Sequence, residues 1–256
     1  MKILAIGDVV GPAAIEYMAS RLRNFVSREG ISLTLVNGEN ASVGNGLSRQ
    51  DAEAILDAGA DVITGGNHIW QKKDLRDFLD TSSRIIRPAN YPSANPGNGY
   101  TIADADGYRV LVMNVMGVIY GDPLADPFET VERILSREEG NYDIATLDIH
   151  AETTSEKYAL ARYFDGRISV IYGTHTHIPT ADEQVLPKGS GYITDLGMTG
   201  PHDSILGVKS ECIIHKLTTK LPTRFEVAEN DLRVNAALFE LDPSTGRATS
   251  VKRVVL

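Results

Sequence analysis

Only one cysteine, Cys212, occurs in 256 residues, which excludes an internal disulfide framework and any zinc site built from several thiolates. A surplus of basic charge is missing as well: 25 Lys and Arg stand against 34 Asp and Glu, a formal net charge of −9. Coating DNA or RNA takes a basic face to neutralise backbone phosphates, so long nucleic acid is not an expected partner. A small phosphate ester held through metal ions remains open, because acidic ligands themselves add to the negative count. Long apolar runs are also lacking. The longest, VLVMNVMGVIY (110–120), contains Asn114 and falls far short of a membrane span. The opening MKILAIGD meets a carboxylate at Asp8, too early for the apolar core of a signal peptide. These absences predict a soluble, cytoplasmic protein with no membrane partner. There is no internal repeat, low-complexity tract or linker. The 42% apolar content suits one α/β domain over residues 1–256.

Short β-rich apolar runs alternate with helical stretches through the first two thirds. The runs are KILAIG (2–7), LTLVNG (33–38), DVITGG (61–66), RVLVMNV (109–115), DIATLDI (143–149) and ISVIYG (168–173). Between them the pattern predicts helices over 12–28, opened by Pro12, and over 48–58, with Ser48 and Asp51 as a capping pair. Further helices are expected over 70–79, 126–138 and 154–164, the last with Thr153 and Glu156 at capping-box spacing. Such alternation reads as a layered α/β sheet. The Asp-Gly turn in TIADADGYRV (101–110) reads as a hairpin, so the sheet is expected to be mixed. From residue 209 onward the tail reads as β-rich, with a second hairpin in AALFELDPSTGRATSVKRVVL and His215 in an apolar strand.

What the strands end on is less ordinary. The first ends in Gly7-Asp8, the second in Asn37-Gly38-Glu39-Asn40, the third in Gly65-Gly66-Asn67-His68. The fifth runs into Asp148-Ile149-His150-Ala151-Glu152, the sixth into Gly173-Thr174-His175-Thr176-His177. Carboxyl ends of strands border the ligand crevice of open α/β sheets. Each residue alone could be a turn or cap, but four of the six histidines fall at this one edge. His175 and His177, one residue apart, share a face if the segment stays extended, and converging imidazoles commonly flank a cation. A mixed oxygen and nitrogen donor set suits manganese, iron or zinc better than calcium or magnesium.

Taken in order, GD, NGEN, GGNH, DIHAE and GTHTH resemble the five-motif signature of the calcineurin-like metallophosphoesterases. The chain is more closely similar to the bacterial YmdB-type branch, dinuclear-metal phosphodiesterases of cyclic nucleotides; TDLGMTGP (194–201) also looks like that branch. The resemblance implies a layered sandwich of two mixed β-sheets flanked by helices. It also implies two metal ions, iron or manganese, one held by Asp8, Glu39, Asn40 and His177. Glu39, Asn67, His150 and His175 would hold the second, with Glu39 bridging both. Two departures stand out. The superfamily's usual Asp-x-His is Asp8-Val9-Val10 here, and Glu39 stands where a bridging Asp is usual. Asn40 is then expected to fill the place of the missing histidine, and its harder amide oxygen favours iron or manganese there.

On the same resemblance His68 would not bind metal but would act as general acid, with orientation of a ligand or water as its structural alternative. The implied reaction is in-line attack of a metal-bridging hydroxide on a small phosphodiester. Two other readings compete: a phosphomonoesterase on the same centre, and a non-catalytic nucleotide-binding regulator. Self-association into a homo-oligomer is compatible with either. Other segments read mainly as structure. Ser42-Val43-Gly44-Asn45-Gly46 is as readily a loop tip as a substrate contact, and Thr199-Gly200-Pro201-His202 reads as a tight turn. Trp70 and Tyr172 read as core.

Overall fold

The computed structural model describes residues 1–256. In chain order the first half comprises β1 (Lys2–Ile6), α1 (Pro12–Glu29), β2 (Leu33–Asn37), α2 (Arg49–Ala58), β3 (Val62–Thr64), α3 (Lys73–Leu79), β4 (Ile85–Ile86), β5 (Tyr100–Ala105) and β6 (Tyr108–Met116). Then come α4 (Pro127–Arg137), β7 (Ile144–His150), α5 (Thr154–Phe164), β8 (Val170–Thr174), β9 (Gln184–Val185), β10 (Gly191–Ile193) and β11 (Gly200–Pro201). The chain closes with α6 (Ser210–Thr219), β12 (Leu232–Arg233), β13 (Asn235–Asp242) and β14 (Arg247–Val255).

Two six-stranded mixed sheets result, ordered β14-β13-β1-β2-β3-β4 and β5-β6-β7-β8-β10-β9. Strand periodicity decides the layering. Along β1, Ile3 and Ala5 join Leu33, Leu35, Val110, Val112, Val170 and Phe239 in the core between the sheets. Leu4 and Ile6 face the other way, onto Met18 and Leu22 of α1 and Ile55 of α2. On the far side, Leu111, Met113, Leu147 and Ile171 pack against Val131 of α4 and Leu160 and Phe164 of α5. The result is the expected sandwich of two mixed sheets flanked by helices, with both hairpins present. In the first, Asp106 and Gly107 have φ of 54° and 85°, as a type I′ turn requires. No helix is long and apolar enough to cross a membrane.

Pro12 occupies the first turn of α1, and the Ser48 hydroxyl accepts from the Asp51 N–H at the head of α2. Three expectations need correction. The helix expected over 70–79 starts only at Lys73, because residues 66–72 form turns that present Asn67 and His68. The capping box fails: Thr153 makes no side-chain cap bond, since Glu156 turns away to accept from the N–H groups of Val118 and Ile119 at 2.8 and 3.3 Å. His215 lies in helix α6, not in a strand. That helix buries none of its residues, so it carries no core-facing stripe from which its period could be read.

Candidate metal centre

The parallel strands of both sheets deliver their carboxyl ends to one place. His150 is the last residue of β7, and its Nε2 lies 3.2 Å from Glu39 Oε1, 3.2 Å from Asn67 Oδ1 and 3.1 Å from His175 Nδ1. Two ligands bonded at right angles to one cation at about 2.1 Å stand about 3.0 Å apart. The donor atoms of Glu39, His150 and His175 all lie within 4.8 Å of one another. The spacing therefore fits a shared cation. Gly66 leaves the room: a Cβ there would come within 2.1 Å of Glu39 Oε2 and 2.4 Å of His150 Nε2.

Next to this group lies the second set. Asp8 Oδ1 is 4.0 Å from His177 Nε2 and 3.8 Å from His150 Nδ1. The Asn40 amide nitrogen sits 2.9 Å from Glu39 Oε1 and 3.3 Å from His177 Nε2, while its oxygen faces His68 Nδ1 at 2.9 Å. Thus Asp8, Glu39, Asn40 and His177 are brought together, with the amide nitrogen of Asn40 turned inward. A half-turn about χ2 would present its oxygen instead and turn the amide nitrogen, a donor, toward His68 Nδ1. The extended reading of His175-Thr176-His177 is corrected: β8 stops at Thr174, and the two histidines take φ of 95° and 66°. Left-handed backbone is costly for residues with a Cβ, and here it swings one imidazole toward His150 and the other toward Asp8.

Behind the donors is a buried polar frame that the sequence pattern does not announce. Thr174 Oγ1 meets His150 Nδ1 at 2.8 Å, which leaves Nε2 facing the site. Thr174 and Thr64 both donate to Asp148, and the Asn37 amide donates to Asp148 Oδ2 at 3.2 Å. Glu152 Oε2 reaches His175 Nε2 at 3.2 Å, a carboxylate–imidazole contact of the kind that orients metal-binding histidines. Lys157, fully buried, donates to Thr174 O and Asp195 Oδ2, each at 2.7 Å. The detectable signal was polar residues ending otherwise apolar strands; for Lys157 there was none.

The electrostatics are those of a pocket that favours positive charge. Burial alone would push the Glu39 carboxyl up, but His150 and His68 hold it well below the usual carboxylate range. Burial opposes a charge on His150, yet Glu39, Asp8 and Asp148 push its pKa up to about 9. Burial, and then the charge of His150, bring His175 down to about 4. His68 is more accessible, its side chain 26% exposed, with its N–H on Glu39 Oε2 at 3.0 Å and Nδ1 3.3 Å from Glu39 Oε1. Beside His177 opens a cavity of about 430 Å³ that Ile178 and Leu206 help to line, a size that accepts a small ligand.

Residues 4–254 match the family described as YmdB-like protein. The chain is 41% identical to a protein of Bacillus subtilis (strain 168) named 2′,3′-cyclic-nucleotide 2′-phosphodiesterase, over 100% of this chain and 97% of that one. A crystal structure of a hypothetical protein from Thermus thermophilus superposes with a TM-score of 0.94 at 39% identity, covering 100% of this chain and 99% of the other. A structure described as a novel phosphatase of Mycoplasma pneumoniae gives 0.94 at 33% identity, covering 100% and 93%.

Proposed function

The chain belongs to the YmdB-like family, and on that premise we propose that it is a metal-dependent phosphodiesterase that opens 2′,3′-cyclic nucleotides. The observation that carries this reading is the convergence of Glu39, Asn67 and His175 on His150 Nε2 beside the accessible His68. Asp8, Glu39, Asn40 and His177 would hold one cation, and Glu39, Asn67, His150 and His175 a second, with Glu39 common to both. Iron or manganese suits this donor set. Bound there, such ions polarise phosphoryl oxygens and acidify water.

The remaining tasks fall to the chain. Glu39 ties the His68 backbone and lies against its Nδ1, so the ring is held with Nε2 free of any protein partner and directed away from the carboxylate. That atom would hand a proton to the departing ribose oxygen, a step worth about a hundred-fold or more. The Asn40 amide lies between Glu39, His177 and His68; with its oxygen turned to a cation, its nitrogen would face His68 Nδ1 and couple the acid to the donor set. The cavity beside His177 gives the nucleoside a place to lie. Residues from Asp8 to His177, on both sheets, contribute, so we read the 256 residues as one catalytic unit acting in the cytoplasm.

Purified, metal-loaded protein assayed against 2′,3′-cyclic AMP, 3′,5′-cyclic AMP and a phosphomonoester tests the reading. The 2′,3′-cyclic substrate should be opened to the 3′-monophosphate. Turnover of the monoester alone would replace the diesterase with a phosphomonoesterase; binding without turnover would make the protein a nucleotide-binding regulator.

A further inference from the structure

Away from the donor set, the segment between β4 and β5 and one face of α4 enclose a cavity of about 570 Å³. Three arginines line it, Arg87, Arg133 and Arg137, and none of its 16 lining residues is acidic. In a chain with nine more carboxylates than basic groups (34 against 25), that local imbalance calls for a reason. Arg87 supplies one. It is only 5% exposed, and its Nε and Nη1 donate to the carbonyls of Gly97 and Pro88 at 3.2 and 2.8 Å. No carboxylate pairs with it, and Nη2 has no protein partner although it is not sealed from solvent. Burial lowers its pKa with no acidic group opposing the shift. Buried charges are normally paired, and no salt bridge within the chain pairs this one. Arg133 has no partner in the chain, and Arg137 touches only Glu138, at 3.7 Å.

We infer that this cavity is a second binding site, for a nucleoside monophosphate or a close organic phosphate, with Arg87, Arg133 and Arg137 receiving the phosphoryl group. Forked guanidinium donors match a phosphate's oxygens better than any other common side chain. The volume exceeds what a bare phosphate needs and falls within the range of small-molecule pockets. Tyr91 and Tyr100 add aromatic rings to the lining, surfaces suited to a sugar or base. The cavity is also in contact with the catalytic region. The Tyr91 ring meets Trp70 edge-on at 4.7 Å, Trp70 Nε1 donates to Pro96 O at 3.1 Å, and Trp70 follows His68 by two residues in the chain.

Trp70 is the only tryptophan, so its fluorescence reports occupancy. Metal-loaded protein is titrated with adenosine 5′-monophosphate and, separately, with inorganic phosphate, with stoichiometry taken from equilibrium dialysis. The expected result is a saturable Trp70 change with the nucleotide bound at least about tenfold tighter than phosphate. Arg133→Glu/Arg137→Glu, on exposed positions that do not endanger folding, should weaken that binding by about tenfold or more. It should remove one nucleotide per chain, while turnover of 2′,3′-cyclic AMP changes by less than about twofold. Unchanged nucleotide affinity and stoichiometry in the double variant would overturn the site, as would no nucleotide binding by the unaltered protein at millimolar concentration. Equal affinity for inorganic phosphate would overturn the organic ligand. The inference does not rest on the phosphodiesterase reading. If that reading fails, both proteins lack turnover, yet the binding comparison between them stands.

Discussion

Replacing Lys157 with Met should damage both stability and the metal centre, although the lysine touches no predicted ligand side chain. The ammonium is fully buried on α5 and holds Thr174 O and Asp195 Oδ2 at 2.7 Å each. Asp195 Oδ2 also accepts from Thr176 N and Thr176 Oγ1 at 3.2 and 2.8 Å, and Oδ1 accepts from Gly197 N at 2.8 Å. The pair thus grips the turn that keeps His175 and His177 in left-handed backbone. Methionine fills similar volume but leaves a carboxylate only 1% exposed without its cation. Removing one member of a buried pair costs about 3–5 kcal/mol. At about 2–4 °C per kcal/mol for a chain of this size, the melting temperature should fall by about 6–20 °C. Calorimetry reads that fall, and elemental analysis of the same sample should show reduced metal retention as the turn relaxes. Lys157→Met/Asp195→Leu should cost less than the sum of the single changes, because no unpaired charge remains. A single variant that melts within about 2 °C of the parent and keeps its metal would refute the reasoning.

Gly66→Ala should fold but lose metal, since the new Cβ would come within 2.1 Å of Glu39 Oε2 and 2.4 Å of His150 Nε2; full metal content by elemental analysis would contradict this. His68→Ala should keep its metal while turnover drops by about a hundred-fold or more; loss of metal instead would make His68 a ligand. Glu39→Ala should lose both ions more readily than Asp8→Ala, because Glu39 faces both donor groups, and equal metal loss from the two variants would count against a shared carboxylate. The metal-free protein should lose stability as pH rises. The folded-state pKa of His150 is pushed up to about 9 from an ordinary 6.5 by Glu39, Asp8 and Asp148 acting against burial. Its contribution is therefore complete below about 6.5 and disappears as pH rises through about 9. Melting curves of chelated protein over that window should fall with pH, and metal-loaded protein should not follow them, because a cation then replaces the proton. A chelated protein whose melting temperature stays flat or rises would remove His150 as the group responsible.

How much of this was legible in the sequence depended on whether a residue's job left a mark on local pattern. Strands of the inner layers did, because burial on both faces demands the largely apolar runs of β1, β2, β7 and β8. The donor residues did, because Asp8, Glu39, Asn67, His150 and His175 break such runs where an ordinary strand end needs no imidazole or buried carboxylate. Helix α6 did not. With no buried residue it answers to no core, and its Ile213-Ile214 pair favours a strand by propensity alone. Lys157 and Arg87 were hidden for a related reason. A lysine among the polar residues of Thr154–Phe164 reads as solvated, and an arginine before a proline reads as loop; only the tertiary structure reveals that one is fully buried and the other nearly so. The two cases then diverge. The charge of Lys157 is answered within the chain by Asp195, so it serves the turn that carries His175 and His177. Within the chain the charge of Arg87 is answered only by the carbonyls of Gly97 and Pro88, and its remaining side faces the cavity. A buried cation with an internal partner is structure; one that faces a cavity without a partner specifies the charge of what the cavity receives.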